Sequence, residues 1–359
     1  MASIKTNPSE STPAPRQRRG HGRVTLDEVA ALAGVTSITV SRYLREPAKV
    51  APETARRIRE ALQRTAYVPN KQAGQLASGQ SRMVAAIIPS IAHSIFAETV
   101  QGLSDGLQAA GYELLLASTG YSMEREEEQL RALLGWFPSA LVVTGRHHTP
   151  GSLALLNRAC DAGTPVVEVW DRHPTPEGFA QVGFEHTAVG KAMARHLLDA
   201  GHRHVAYVDS GVSEDFRAHE RGAGFAQAVK RAGGRVDVWT APRCDAFDAG
   251  RQVLGDWARQ PAGHRPTALA FANDQLACGA LLEAQQRALA VPAELAVMGF
   301  GDFPIGRQLR PALTTVRPPR YEIGAEAARQ ILAALTQGRP VSDAALPWTL
   351  EARGSTVAH

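Results

Sequence analysis

Cysteine is scarce in this 359-residue chain: there are three, Cys160, Cys244 and Cys278, scattered far apart. That number and spacing exclude a disulfide framework and a cysteine-based metal site. No apolar run approaches the roughly 20 residues needed to cross a bilayer. The opening stretch, MASIKTNPSESTPAPRQRRGHG, lacks the apolar centre of a secretory signal. Also missing are a G-x-S-x-G elbow, an HExxH helix and a Walker loop, so catalysis has no motif to rest on. These absences point to a cytoplasmic protein that is not an enzyme, has no membrane partner and needs no cofactor or metal.

What is present is globular: 44% hydrophobic and 21% charged residues. The length exceeds one comfortable core, so two or three domains are expected. The net charge of +4 is unevenly spread. Residues 1–80 carry 13 Lys/Arg against 6 Asp/Glu, a net +7, and the remainder holds 26 against 29, a net −3. A basic head on a slightly acidic body fits a polyanion bound at one end.

Residues 1–22, rich in Pro, Ser and Arg, read as a disordered basic tail. The stretch TLDEVAALAGVTSITVSRYLR, Thr25 to Arg45, follows. Thr25 and Glu28 form the T-x-x-E pattern of a capping box. Leu26, Val29, Ala30 and Ala33 recur at helical spacing, and Gly34 can stop that helix in the left-handed conformation. Thr36 can cap a second helix with Val40 and Leu44 turned inward. Ser37, Ile38, Ser41, Arg42 and Arg45 then face out. Two short helices across a glycine turn read as a DNA-binding helix-turn-helix, or else as an ordinary helical hairpin. Pro52 opens a third helix, with Ala55, Ile58 and Leu62 as its buried stripe. The polar stretch 67–82 reads as a linker, although Leu76 is a candidate wedge between base pairs in a minor groove if the segment becomes helical.

From Met83 the pattern changes. Apolar runs at 83–88, 113–117, 140–144, 165–169, 204–208, 268–272 and 295–299 alternate with amphipathic stretches. This predicts helices over 95–110, 125–136, 190–200, 217–232 and 277–287. Near-continuous apolar strands between helices mean parallel sheets covered on both faces, here in two α/β lobes with a cleft. Ligands in such folds sit outside the carboxyl ends of the strands.

The pieces TLDEVAALAGVTSITVSRYL, Tyr67-Val68-Pro69-Asn70, Gln75-Leu76-Ala77, GHRHVAYV, Arg221 to Phe225, FANDQLACGAL, LAVMGFGD and PALTTV occur in this order. In that order and spacing the chain resembles the lactose/galactose-repressor family of bacterial transcription regulators along nearly its whole length. Pro89, Ser90, Phe96, GYSMEREEEQL, LVVTGRHHTP, PVVEVWD and VGFEH make it most similar to the gluconate-utilisation repressors of that family.

The resemblance implies an α/β fold: a three-helix helix-turn-helix domain (23–69), a hinge helix (70–80) and a two-lobed core like periplasmic sugar-binding proteins (81–359). Lobe 1 is expected over about 81–182 and 313–340, and lobe 2 over about 183–312 and 341–359. The chain would cross between them near Val182–Gly183, near Arg310–Leu313 and around 338–345. The resemblance further implies a homodimer on near-palindromic, double-stranded operator DNA. Thr25, Ser37, Ile38, Ser41, Arg42, Thr54, Asn70 and Leu76 are the DNA-binding candidates. Arg42 is the candidate for guanine O6/N7, with a plain phosphate contact as its alternative. Ile38 can offer only apolar contact, Thr25, Thr54 and Asn70 position phosphates, and Leu76 matches the intercalating leucine.

The effector-binding candidates are Ser90, His93, Phe96, Arg146, His148, Asp171, Arg221, Asn273 and Asp274. Arg221 matches the arginine that holds ligand oxygens. Many sugar-binding members carry an aspartate where this chain has Gly301. Its absence near Arg221, together with Arg146 and the histidines, favours a sugar acid such as gluconate over a neutral sugar. Alternatives stay open: a corepressor in place of an inducer, a neutral sugar, control by a partner protein, or a sugar-binding or transport protein without regulatory role.

Overall fold

The computed structural model describes residues 24–69, 81–91, 94–173, 175 and 178–357. The chain divides into two compact units, residues 1–80 and 81–359. In the first, α1 (Leu26–Ala33), α2 (Ser37–Arg45) and α3 (Pro52–Thr65) enclose Val29, Ala30, Ala33, Val40, Ile58 and Ala61. The capping box is formed in full: the Thr25 hydroxyl accepts from Glu28 N at 3.3 Å, and Thr25 N donates to Glu28 Oε2 at 2.9 Å. Gly34 ends α1 at φ +64. Its place is also fixed by Arg57 of α3, which donates to the Ala33 and Gly34 carbonyls. A Cβ at residue 34 would lie 2.5 Å from the Arg57 guanidinium, so glycine answers both the turn and the contact.

The second unit carries two six-stranded sheets. Strands β1 (Met83–Ile88), β2 (Glu113–Ser118), β3 (Ala140–Thr144), β4 (Val166–Asp171) and β5 (Ala180–Phe184) lie in one. Strands β6 (His204–Asp209), β7 (Arg235–Thr240), β8 (Ala268–Phe271), β9 (Ala296–Phe300) and β10 (Thr314–Arg317) lie in the other. The short β11 (Ala344–Ala345) returns to the first sheet, and β12 (Thr349–Glu351) closes the second as its antiparallel edge. The orders are β11-β5-β4-β3-β1-β2 and β12-β10-β9-β8-β6-β7.

Apart from β12 every pairing is parallel, so helices must cover both faces. In lobe 1 these are α4 (Ala97–Ala109), α5 (Met123–Leu134) and α6 (Pro150–Asp161), joined by α12 (Arg320–Gln337). In lobe 2 they are α7 (His186–Asp199), α8 (Phe216–Arg231), α9 (Ala246–Arg259) and α10 (Asp274–Gln286), with the short α11 (Pro304–Gln308). The central strands are accordingly apolar without alternation: Val84 to Ile87, and Ala268 to Phe271, are all but fully buried.

The chain changes sheet three times, and two of the changes fall later than the sequence suggested. The run at 313–316 pairs in parallel with β9, Thr314 against Met298 and Val316 against Phe300, so it belongs to lobe 2. The crossing therefore lies between Arg317 and Arg320 rather than at Arg310–Leu313. The third lies between Ala345 and Thr349, because β11 still pairs with Val182 and Gly183. By sheet membership lobe 1 is residues 81–184 and 320–345, and lobe 2 is 186–317 and 349–357.

Candidate functional site

On the first unit, α2 presents an apolar side chain to solvent: Ile38 is 70% exposed. Arg42, one turn later, is exposed, and its guanidinium has no ion pair or hydrogen bond among the described residues. Ser37 and Ser41 lie beside them, half-buried, and Arg45 donates to the Ser41 carbonyl at 3.4 Å. Thr54 sits half-buried in the first turn of α3. An uncommitted guanidinium and an uncovered isoleucine on one helix face suit base edges. Asn70 and Leu76 lie outside the described residues.

On the second unit, a cavity of about 330 Å³ opens where the strand ends of the two lobes meet. Lobe 1 contributes Ile95 and Phe96 after β1, Tyr121 after β2, and Trp170 of β4. Lobe 2 contributes Ser210 after β6, Cys244 and Asp245 after β7, Asn273 after β8, and Phe300 and Phe303 around the end of β9. Arg217 and Arg221 enter from α8, one turn apart. Three helices of lobe 2 begin at this cavity, capped by Asp215, Asp245 and Asn273. The Asp215 carboxylate accepts from Ala218 N at 3.2 Å and that of Asp245 from Phe247 N at 2.9 Å. Asn273 uses its carbonyl oxygen on Leu276 N at 3.0 Å, which leaves its NH2 for the cavity. Helix N-termini favour negative charge, and at α8 and α9 the Asp215 and Asp245 carboxylates already supply it.

The wall behind the arginines is a buried polar network. Arg221 Nη1 donates to His186 Nδ1 at 3.0 Å, so the imidazole carries its proton on Nε2 and donates to the Trp170 carbonyl at 2.9 Å. Burial, aided by Arg221 and Arg217, pushes His186 below its ordinary value against the pull of Asp171. Asp171 is buried too. Burial opposes its charge, but His186 at 3.3 Å and the Arg217 and Arg146 charges hold its carboxyl at about 2.

Of the expected effector residues, Phe96, Arg221 and Asn273 line the cavity. His93 lies outside the described residues. Ser90, Arg146, His148, Asp171 and Asp274 do not line it, for distinct reasons. Ser90 follows β1 but stands back from the cavity. Arg146 is turned onto Glu220 of α8, which also receives His147 Nε2 at 3.4 Å. His148 is folded between Glu126 and Glu168 inside lobe 1. Asp171 accepts from Arg146 N at 3.1 Å, one layer behind the surface. Asp274 is fully buried, accepting from Phe303 N at 2.8 Å and the Thr315 hydroxyl at 2.6 Å. Burial drives its carboxyl up to about 6, against those hydrogen bonds.

Gly301 does not line the cavity either; its neighbours Phe300 and Phe303 do. The missing aspartate therefore carries no argument about ligand charge, and neither do Arg146 and His148, which already have carboxylates. The case for an anion passes to Arg217 and Arg221. Sequence reasoning missed Tyr121, Trp170, His186, Arg217, Asp245 and Phe303. Arg217 could have been found, because it is four residues before Arg221 and so shares its helix face.

Residues 25–70 match the model of the lacI family of bacterial regulatory proteins, and residues 194–356 match a periplasmic binding protein-like domain. The chain is 39% identical to the HTH-type transcriptional regulator GntR of Pseudomonas aeruginosa, over 95% of this chain and 98% of that one. Its structure is similar to that of a LacI-family transcriptional regulator from Silicibacter pomeroyi, with a TM-score of 0.84 at 30% identity, covering 93% of this chain and 99% of that one. It is also similar to the lac repressor dimer bound to operator and the anti-inducer ONPF, with a TM-score of 0.80 at 26% identity over 94% of this chain and 100% of that one.

Proposed function

The chain belongs to the lacI family of bacterial regulatory proteins and is a DNA-binding transcriptional regulator, and we propose that it represses genes of sugar-acid catabolism until a small polyhydroxylated carboxylate, such as gluconate, fills the cavity. One observation carries the ligand class. Arg217 and Arg221 converge on the cavity between the lobes, where the Asp215 and Asp245 carboxylates are turned onto the helix N-termini they cap. Aromatic faces of Phe96, Trp170 and Phe300 suit the C–H side of a carbon chain, and Ser210, Asn273 and Gln275 suit its hydroxyls.

In this reading α2 enters the major groove, with Arg42 on guanine and Ile38 against a thymine methyl. Thr25, Thr54 and Asn70 position phosphates, while Leu76 wedges into the minor groove. A homodimer with residues 70–80 as hinges reads a near-palindromic operator. The ligand stabilises one arrangement of the lobes, and operator affinity falls by about 5- to 150-fold for a coupling of roughly 1–3 kcal/mol. No catalytic step is assigned.

The test is thermal unfolding of the full chain with gluconate, other aldonates, keto acids and neutral sugars, paired with operator binding by fluorescence anisotropy. At a ligand concentration about 100 times Kd, an aldonate should stabilise by about 2.7 kcal/mol and weaken operator binding. Stabilisation by neutral sugars alone overturns the ligand class. Tighter operator binding with the aldonate reverses the regulatory sign.

A further inference from the structure

The two arginines at the cavity are not equivalent. Arg221 is committed: Nη1 donates to His186, Nη2 donates to the Ala272 carbonyl at 2.9 Å, and the guanidinium lies 3.9 Å from the Phe300 ring centroid. Its Nε alone is buried without an acceptor. Arg217 is nearly as buried, at 8% exposure, yet its guanidinium makes no hydrogen bond or ion pair among the described residues. Shape holds it in place. It stands 5.9 Å from the Phe96 ring centroid and fills the space that Gly145 leaves open. Gly145 has φ +91, and a Cβ there would come within 2.7 Å of Arg217 Nη1. The same point is 3.3 Å from Asp171 Oδ2, so guanidinium and carboxylate face one gap from opposite sides. Arg217 also lines an annex of about 40 Å³ at the lobe 1 strand ends, beside Thr144 and Ser122.

The Arg217 guanidinium lines the cavity without a protein acceptor, and Asp171 attracts it only at a distance, so its N–H groups are left for a ligand. A ligand carboxylate would supply two acceptors in the fork geometry that arginine matches. We propose that Arg217, rather than Arg221, is the carboxylate subsite of this cavity. The assignment rests on the sugar-acid reading above. Arg217 stands on lobe 2 while the gap it fills belongs to lobe 1, so the same contact couples ligand charge to the relative position of the lobes.

Calorimetric titration of the full chain with gluconate and with gluconamide, its uncharged analogue, tests this. The wild-type chain should prefer gluconate. Arg217→Met should lose at least about 30-fold in gluconate affinity. Its gluconamide affinity should change by less than about 3-fold. Arg217→Lys should keep part of the preference for the acid. If Arg217→Met keeps the wild-type ratio of the two affinities, the carboxylate binds elsewhere and the subsite is overturned. Should Arg217→Met fail to melt cooperatively or to bind operator, Arg217→Gln serves in its place with the same two outcomes. A wild-type chain that binds neither compound, or both equally, overturns the sugar-acid reading and the subsite with it. That failure shows before any substitution is made, which separates it from failure of the subsite alone.

Discussion

The imidazole of His148 has no exposed surface and lies between two carboxylates: Nδ1 is 2.7 Å from Glu126 Oε1 and Nε2 is 3.3 Å from Glu168 Oε1. The second contact is poorly aligned for a hydrogen bond, and Glu168 also accepts from Gln181 Nε2 at 2.8 Å. Burial alone would lower the imidazole, but the two glutamates outweigh it and raise His148 to about 9 from an ordinary 6.5. A raised value in the folded state means the pairing contributes fully below pH 6.5 and is lost as pH rises through 9. Its size is on the order of 3 kcal/mol. Urea unfolding at pH 6 and pH 9.5 should therefore show the wild type losing stability between the two. His148→Gln should be less stable at pH 6 and should lack most of that pH dependence. An unchanged pH dependence in the variant would assign the titration to another group.

Helix α1 shows how an element's ends decide its stability. Eight residues are too few to hold a helix unaided. Its N-terminus is closed locally by Thr25 and Glu28, three residues apart. Its C-terminus is closed locally by the Gly34 and Val35 N–H groups on the Ala31 and Ala30 carbonyls, and from a distance by Arg57 of α3, which reaches the carbonyls of Ala33 and Gly34. Arg57→Ala strips both carbonyls of that partner while leaving the apolar contacts of Val29, Ala30 and Ile58 in place. Thermal unfolding of the full chain, followed by hydrogen exchange of the α1 amides, should show a loss of about 1–2 kcal/mol. Operator affinity should fall in parallel, because α2 is positioned by α1. A variant that melts like the wild type would show that water replaces the guanidinium at no cost.

At the scale of the molecule, the two lobes are bridged on the side where Arg146 and His147 of lobe 1 meet Glu220 of lobe 2. His147 also stacks on Phe216, with 4.4 Å between ring centroids, and Met123 N donates to Glu214 at 2.7 Å. Near the second crossing, Arg320 of α12 reaches the Gly301 carbonyl and Glu98. Burial works against the Glu220 charge, but His147 and Arg146 hold its carboxyl below the usual range. These groups are about a quarter exposed, so the pair contributes only about 1 kcal/mol. Glu220→Ala should thus leave the melting of the core nearly intact while loosening the bridge. Hydrogen exchange at 145–148 and 214–220 should speed up, and a bound aldonate should dissociate several-fold faster. Exchange confined to wild-type rates would show that the other bridges suffice.

What the sequence by itself determined is local or periodic. The Thr25–Glu28 box, the stop at Gly34 and the uncovered face of α2 are settled within a few residues of chain. The apolar runs became β1 and β3 at their expected bounds, because a strand covered on both faces needs every residue apolar. The lobe boundaries were less legible: PALTTV stands outside the seven apolar runs, and only its pairing with β9 makes it a strand of lobe 2. The cavity was the least legible part. Arg146, His148 and Arg217 look alike as basic residues near strand ends or on a helix. Arg146 meets Glu220, 74 residues away; His148 meets Glu126, 22 residues back; Arg217 meets neither. Whether a charge is spent on the fold or left for a ligand depends on carboxylates that only the packing of distant elements brings within reach, so the tertiary structure alone could decide it.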